Sequence, residues 1–204
     1  MVSSLDGMIA KKDNSVSWFE TADHYEQGIA VSDREAAEFL KTIDCYVMGA
    51  RTYEHGLELS KTYGWAYGDT PVIVFVNKLD RDGKNPFDLL DEIESELKIR
   101  LHPLSWPINM GRDFKGVYNL YDKSLLLFKP NQKATEEDYL PLENLNDDIL
   151  PVRIGEKDAA QLREDVELLE GVYGDFDREP YLQGKVAPVF FGSAINNFGV
   201  KELL

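Results

Sequence analysis

Residues 71–80 read PVIVFVNKLD. Pro71–Val76 is a continuous run of β-branched and aromatic side chains of strand length, the pattern of a strand buried in a parallel sheet. Directly after it come Asn77, Lys78, Leu79 and Asp80, an Asn-Lys-x-Asp tetrapeptide at the strand's carboxyl end, where open α/β sheets bind ligands. That chemistry suits a guanine base. The Asp80 carboxylate can accept two hydrogen bonds, from the ring N–H and the exocyclic amine, which adenine does not offer. The Lys78 stem can lie along the purine face, and Asn77 can tie neighbouring loops together. A capped strand-to-helix turn is the plainer reading of the same four residues.

Working outward, Cys45–Met48 is a compact apolar run closed by Gly49, and Val186–Phe191 is a second buried strand ending at Gly192-Ser193-Ala194. Between the strands lie helical patterns. Ser32 with Glu35 makes a capping box ahead of Ala36, Ala37, Phe39, Leu40 and Ile43, and Thr52–Leu59 reads as a second helix. Asn85-Pro86 starts a helix with proline at its first position, and Phe87, Leu90, Ile93 and Leu97 form its apolar stripe. Asp158–Glu170 is a helix with Ala159, Leu162, Val166 and Leu169 on one face. Gly116–Tyr121 and Ser124–Phe128, joined across Asp122-Lys123, read as a hairpin. Residues 134–152 hold six acids and no base, which predicts a solvated loop. Strands alternating with helices make the class α/β.

Composition narrows the function. With 22 Lys+Arg against 37 Asp+Glu the net charge is −15, which argues against direct nucleic-acid binding, because counterion release needs clustered cations. Residues 1–75 and 76–204 are both acidic, so charge does not divide the chain. No apolar run approaches the roughly 20 residues of a membrane span, and the Met1 region has no signal-peptide pattern. The one cysteine, Cys45, forms no internal disulfide, and His24, His55 and His102 are far apart, so no metal site is expected. A cytoplasmic protein is expected.

From Val76 onward the sequence resembles a known family. The stretches VNKLDRDG (76–83), PLSWPINMGRDFKGVY (103–118), QLREDVELLEGVY (161–173) and PVFFGSAINNFGVKELL (188–204) are similar to the second half of the GTPase domain of the bacterial peptide chain release factor 3 family, which are translational GTPases. The resemblance implies GTP or GDP binding through Asn77, Lys78, Leu79 and Asp80, with Ser193 and Ala194 completing the base pocket and a backbone N–H there aimed at the guanine O6. It also implies an inserted subdomain at about 100–185, magnesium alongside GTP, and the ribosome as partner.

The pattern departs from that family in one respect. A phosphate-cradling GxxxxGK loop followed by Ser or Thr should precede these elements. Gly-Lys occurs only at 83–84 and 184–185, with neither the earlier glycine nor the following hydroxyl. Asp80–Gly83 and Asp113–Gly116 match DxxG only by spacing. The upstream half of the GTPase domain, with the magnesium ligands, and the ribosome-holding domains are expected to be absent.

Residues 1–75 resemble a different family instead. VSSLDGMIA (2–10), DNSVSWF (13–19), IDCYVMGARTYE (43–54) and GWAYGDTPVIVF (64–75) are similar to the opening of a dihydrofolate-reductase-like domain, in the branch of the riboflavin-biosynthesis reductase. That resemblance implies NADPH contacts from Gly49, Arg51 and Thr52 and a substrate loop at Asp6. A turn former at Asp6 and a surface cation at Arg51 explain the same residues without a cofactor, and no second glycine-rich dinucleotide loop follows. Thr70–Val76 suits either parent. The chain therefore reads as a chimera: a partial dihydrofolate-reductase-like segment (1–75) joined to a partial P-loop-type GTPase domain with an inserted subdomain (76–204).

The remaining features have bland readings. Trp106, Phe114, Tyr118 and Tyr121 are expected in a core or on a subdomain surface rather than stacking on bases, and His102 is expected in a loop. Cys45 is expected to be a small hydrophobe inside a strand, and Asp147-Asp148 to lie in flexible loop. Three functions follow: a GTPase fragment with intact guanine loops, an NADPH-dependent reductase, or an inactive and partly folded hybrid.

Overall fold

A computed structural model describes residues 34, 38–39, 41–48, 58, 60–62, 70–129, 138–142 and 144–203. The chain divides into two compact units, Met1–Thr42 and Ile43–Leu204. In the first, Arg34 Nε donates to Glu38 Oε1 at 3.1 Å, one helical turn apart. The capping box at Ser32 and most of the helix expected at 52–59 lie outside the described residues; positions 58 and 60–62 are helical.

Among the described residues, the second unit carries two sheets. The first is parallel, in the order β1-β2-β8-β3, from β1 (Tyr46–Met48), β2 (Val72–Val76), β3 (Arg100–Pro103) and β8 (Val186–Phe191). It runs through the boundary drawn at Val76, since β1 pairs with β2, and β2 pairs Val74 with Val189 and Val76 with Phe191. Val74, Ala187, Val189 and Phe191 are buried, as continuous apolar strands require. Pro188 is tolerated in a central strand because β2 meets β8 only from Val189 onward, so its missing N–H falls outside that ladder.

The second sheet is inserted between β3 and β8. It is antiparallel, in the order β4-β5-β6-β7, from β4 (Ser105–Ile108), β5 (Gly116–Asn119), β6 (Ser124–Leu127) and β7 (Tyr139–Pro141). The expected hairpin is β5–β6. Its turn is shaped by Asn119, whose Oδ1 accepts the N–H groups of Tyr121 and Asp122 at 2.9 Å each. Neither β3 nor β4 was legible, because Pro103 and Pro107 interrupt the run. Both are edge strands, where proline is allowed. Between them Leu104 changes sheets: its N–H binds Val189 C=O, and its C=O accepts from Leu120 N–H, both at 2.9 Å.

The helices cover these sheets. In α1 (Pro86–Leu97) the Asn85 side chain caps Phe87 N–H at 2.9 Å, and Leu90 and Ile93 are buried. Helix α2 (Ile149–Ile154) packs on α3 (Glu156–Tyr173), which buries Ala159, Leu162, Val166 and Leu169, the face expected, and lies against β3 and β4. Helix α4 (Arg178–Leu182) lies on β8.

Four expectations need correction. Residues 134–152 are not simply a solvated loop. Strand β7 and the start of α2 fall there, and Leu142 and Leu150 are buried among the acids. Two of the described acids have local work: Asp138 is buried and paired with Lys129 at 2.5 Å, and Asp147 Oδ1 accepts Ile149 N–H at the start of α2. Asp147 and Asp148 therefore sit at a helix start rather than in flexible loop. Cys45 precedes β1, half-buried, and its sulfur accepts a hydrogen bond from Tyr181 Oη at 3.3 Å. His102 belongs to β3, edge-on to Phe176 and Tyr173 with ring centroids 5.2 and 5.8 Å away. Of the four aromatics expected in a core or on a surface, Trp106, Phe114 and Tyr118 are buried and Tyr121 is exposed.

His102 has a consequence for stability. Burial lowers its pKa below the ordinary 6.5, Arg100 adds to the shift and Asp175 opposes it. Below 6.5 the unfolded chain therefore binds this proton more readily than the folded one. The stability His102 contributes is whole above that value and is lost as the pH falls towards the lowered one. Acidification from about pH 7 to about pH 5.5 should lower the Tm more in the natural chain than in His102→Phe, which keeps a ring but does not titrate. Parallel Tm profiles for the two would contradict this.

Candidate functional site

Strands β2 and β8 are neighbours and parallel, so their carboxyl ends open on the same edge of the sheet. The residues leaving β2 are Asn77–Asp80, and those leaving β8 are Gly192–Asn197. Gly192 locks the two exits together: its N–H binds Val76 C=O at 3.0 Å, and its C=O accepts Leu79 N–H at 3.1 Å. A Cβ at Gly192 would collide with the Phe198 carbonyl oxygen and lie 2.8 Å from the Phe75 ring, so only glycine permits this approach.

The side chains complete the junction. Asn77 Oδ1 accepts two backbone N–H groups, Lys78 at 2.8 Å and Ala194 at 2.9 Å. The Ser193 hydroxyl, fully buried, donates to Asp80 Oδ1 at 2.5 Å and accepts from Asn196 Nδ2 at 2.8 Å. A hydrogen bond to a carboxylate is among the stronger neutral-to-charged contacts. Lys78 is exposed and takes a left-handed backbone, φ 72°, which turns the chain so that its C=O accepts Arg81 N–H at 3.0 Å. Leu79 is buried and anchors the loop. Ser193 and Phe198 exchange both backbone hydrogen bonds at 3.0 Å, closing the second loop around the short turn Ala194–Asn196.

The structure thus brings together all six residues expected at a base pocket: Asn77, Lys78, Leu79, Asp80, Ser193 and Ala194. One detail differs from the implied arrangement. The Ala194 N–H is already engaged by Asn77 Oδ1, so a base carbonyl there must share or take that donor. The other expected sites, Asp6 in a substrate loop and Gly49, Arg51 and Thr52 for NADPH, lie outside the described residues. Sequence reading missed Gly192, Asn196 and Phe198. The signal was present in GSAINNFG (192–199), where a glycine separates a buried strand from the serine.

Among the described residues, cavities also lie elsewhere. One of about 430 Å³ is lined by Phe87, Trp106, Asp113 and Asp165, with the Trp106 indole N–H on Asp165 Oδ2 at 2.9 Å. Another, about 280 Å³, is lined by His102, Tyr173 and Phe176. Among the described residues no group of His, Cys, Asp or Glu side chains is placed to hold a metal ion, and no helix is long and apolar enough to cross a membrane.

Residues 52–204 match the elongation factor Tu GTP binding domain family. The chain belongs to this family. The match covers most of the chain and takes in residues 52–75, on the far side of the boundary drawn at Val76. It makes the mixed α/β unit a translational-GTPase-type domain and its ligand a guanine nucleotide.

Gly192 gives the site a direct test. Gly192→Ala should destabilise the chain by about 2 kcal/mol or more, because the added methyl meets backbone rather than a movable side chain. Gly171→Ala, whose Cβ would meet nothing within 4 Å, should be neutral or slightly stabilising. Urea unfolding of both variants checks the pair, and equal midpoints would contradict the assignment of Gly192 as the lock.

Proposed function

We propose that this 204-residue chain is a translational-GTPase fragment, resembling the release factor 3 family in its motif pattern, that reads guanine weakly and does not hydrolyse GTP by itself. The observation that carries this reading is the Ser193–Asp80 hydrogen bond together with the Asn77–Ala194 one. They knit two loops more than a hundred residues apart at the carboxyl ends of adjacent parallel strands.

The chemistry follows from the donors and acceptors. Asp80, steadied through Oδ1 by Ser193, presents its carboxylate edge to the ring N–H and exocyclic amine of guanine. The Lys78 stem covers one face of the base. Asn77 fixes the Ala194 turn, whose backbone N–H the base carbonyl would share with Asn77 Oδ1 or take from it. Adenine has the reverse donor and acceptor pattern on that edge, so it would leave the carboxylate unpaired.

The base is only part of the ligand. In phosphoryl-transfer proteins the phosphates are cradled by a glycine-rich loop and a metal ion, and catalysis is mostly their positioning. The chain carries no GxxxxGK stretch followed by Ser or Thr, and no described cluster suits magnesium. Hydrolysis by this chain alone is therefore not expected, and affinity should be weaker than about millimolar when the phosphates contribute little. The ribosome, and the cytoplasm as setting, are the partner and place that the release-factor resemblance implies.

Equilibrium dialysis against GDP, GTP and ADP tests the reading. We expect dissociation constants above about 1 mM, a guanine preference of several-fold, and loss of that preference in Asp80→Ala. Micromolar GTP affinity that disappears in Asp80→Asn would overturn the weak-binding claim. Equal retention of GDP and ADP by the natural chain would overturn the guanine assignment.

A further inference from the structure

The two loops of the proposed base site each touch the inserted sheet, at separate points. At the first, Gly111 N–H binds Leu79 C=O at 2.9 Å. Leu79 lies between Lys78 and Asp80, and its own N–H is already held by Gly192 C=O. The backbone of the Asn-Lys-x-Asp loop is thus gripped on both sides, by the parallel sheet and by the turn Gly111–Asp113 that follows β4. Gly111 sits at φ +64°, and a Cβ there would run into the Asp82 carboxylate. Only glycine takes that backbone freely and lets the turn come so close.

At the second point, Phe198 closes the Ser193–Asn197 loop through its paired backbone hydrogen bonds. Its ring lies against Phe114 and Phe128, with centroids 5.5 and 5.2 Å away and ring planes 87° and 82° apart. Phe114 and Phe128 touch each other at 5.0 Å. Both belong to the inserted segment: Phe114 follows the Gly111–Asp113 turn and Phe128 follows β6. The edge-to-face geometry is the favourable one for aromatic rings. The same short stretch, 111–114, therefore reaches one guanine loop by backbone and the other by a ring.

A site that recognises its ligand by a few hydrogen bonds depends on those groups being ordered before the ligand arrives, since ordering them on binding subtracts from affinity. We infer that the inserted sheet holds the two guanine loops in register, with Gly111 and Phe114 as positioning residues acting through Leu79 and Phe198 without touching the base. This rests on the guanine-reading assignment made above. It gives the insertion a role inside the nucleotide site.

The test compares Phe114→Leu and Gly111→Ala with Val166→Ala, a core truncation on α3 that takes part in neither contact. Amide hydrogen exchange at Leu79, whose N–H is held by Gly192 C=O, and at Ala194, held by Asn77 Oδ1, is measured in the full chain, alongside NMR titration with GDP and with ADP. Phe114→Leu should speed exchange at Ala194, and Gly111→Ala at Leu79, by about tenfold beyond the Val166→Ala control. GDP affinity should fall about fivefold in both while the response to ADP stays as it was. Exchange at these amides no faster than in Val166→Ala would overturn the inference. If exchange rises as expected but even the natural chain fails to distinguish GDP from ADP, the bracing is upheld and the guanine assignment falls. Phe128→Leu, which removes the other ring under Phe198, gives a second reading of the aromatic contact should Phe114→Leu fail to fold.

Discussion

Gly192 is where the strands become a site. Its N–H and C=O both reach the β2 exit, to Val76 and to Leu79, so the last rung of the parallel ladder continues directly into the two loops. Every other contact at the site builds on that approach. Asn77 reaches Ala194, Ser193 reaches Asp80, and Phe198 folds back over Ser193 because the two backbones meet without a Cβ between them. The buried Ser193 hydroxyl would be costly without a partner, and the Asp80 carboxylate supplies one. The constraint is steric first and electrostatic second.

The inserted sheet explains why such a junction stays closed at the edge of a small domain. A parallel sheet of four strands leaves its carboxyl-end loops open to solvent, where loops are ordinarily mobile. Here the chain leaves β3, changes sheets at Leu104, and returns within a few residues to lay Gly111 on Leu79 and Phe114 on Phe198. Lys115, next in sequence, pairs with Asp158 and reaches the Ile154 carbonyl, tying the same turn to α2 and α3. Burial alone would raise the Asp158 carboxyl, but hydrogen bonds from Lys115 and Asn109, with the charges of Lys115 and Lys157, hold it below the usual range.

Much of this was legible from the residues. The strands with unbroken apolar runs, β2 and β8, and the helix with a clean apolar face, α3, were readable because burial on one side or both leaves a periodic trace. The Asn85-capped start of α1 was readable because Asn followed by Pro has few alternatives there, and the β5–β6 turn because Asp122-Lys123 separates two apolar runs. What escaped was set by tertiary context. Strands β3 and β4 carry prolines that only an edge can tolerate, and β7 hides its Leu140 among acids whose partners, such as Lys129 for Asp138, come from elsewhere in the chain. At the site, the side chains named from sequence do converge. The groups that make them converge, Gly192, Gly111 and Phe198, carry no chemistry of their own and left only a spacing between small residues. The boundary drawn at Val76 also held no hint that β1 and β2 would share one sheet with β8.

If the two distant loops form one surface that distinguishes guanine from adenine, a two-dimensional amide NMR titration of the assigned chain with GDP and, separately, ADP will show it. The amides of Asn77–Asp80 and Ser193–Asn197 should shift together with GDP, along one binding curve, and respond little to ADP. Shifts confined to other residues, or equal for the two nucleotides, would contradict it.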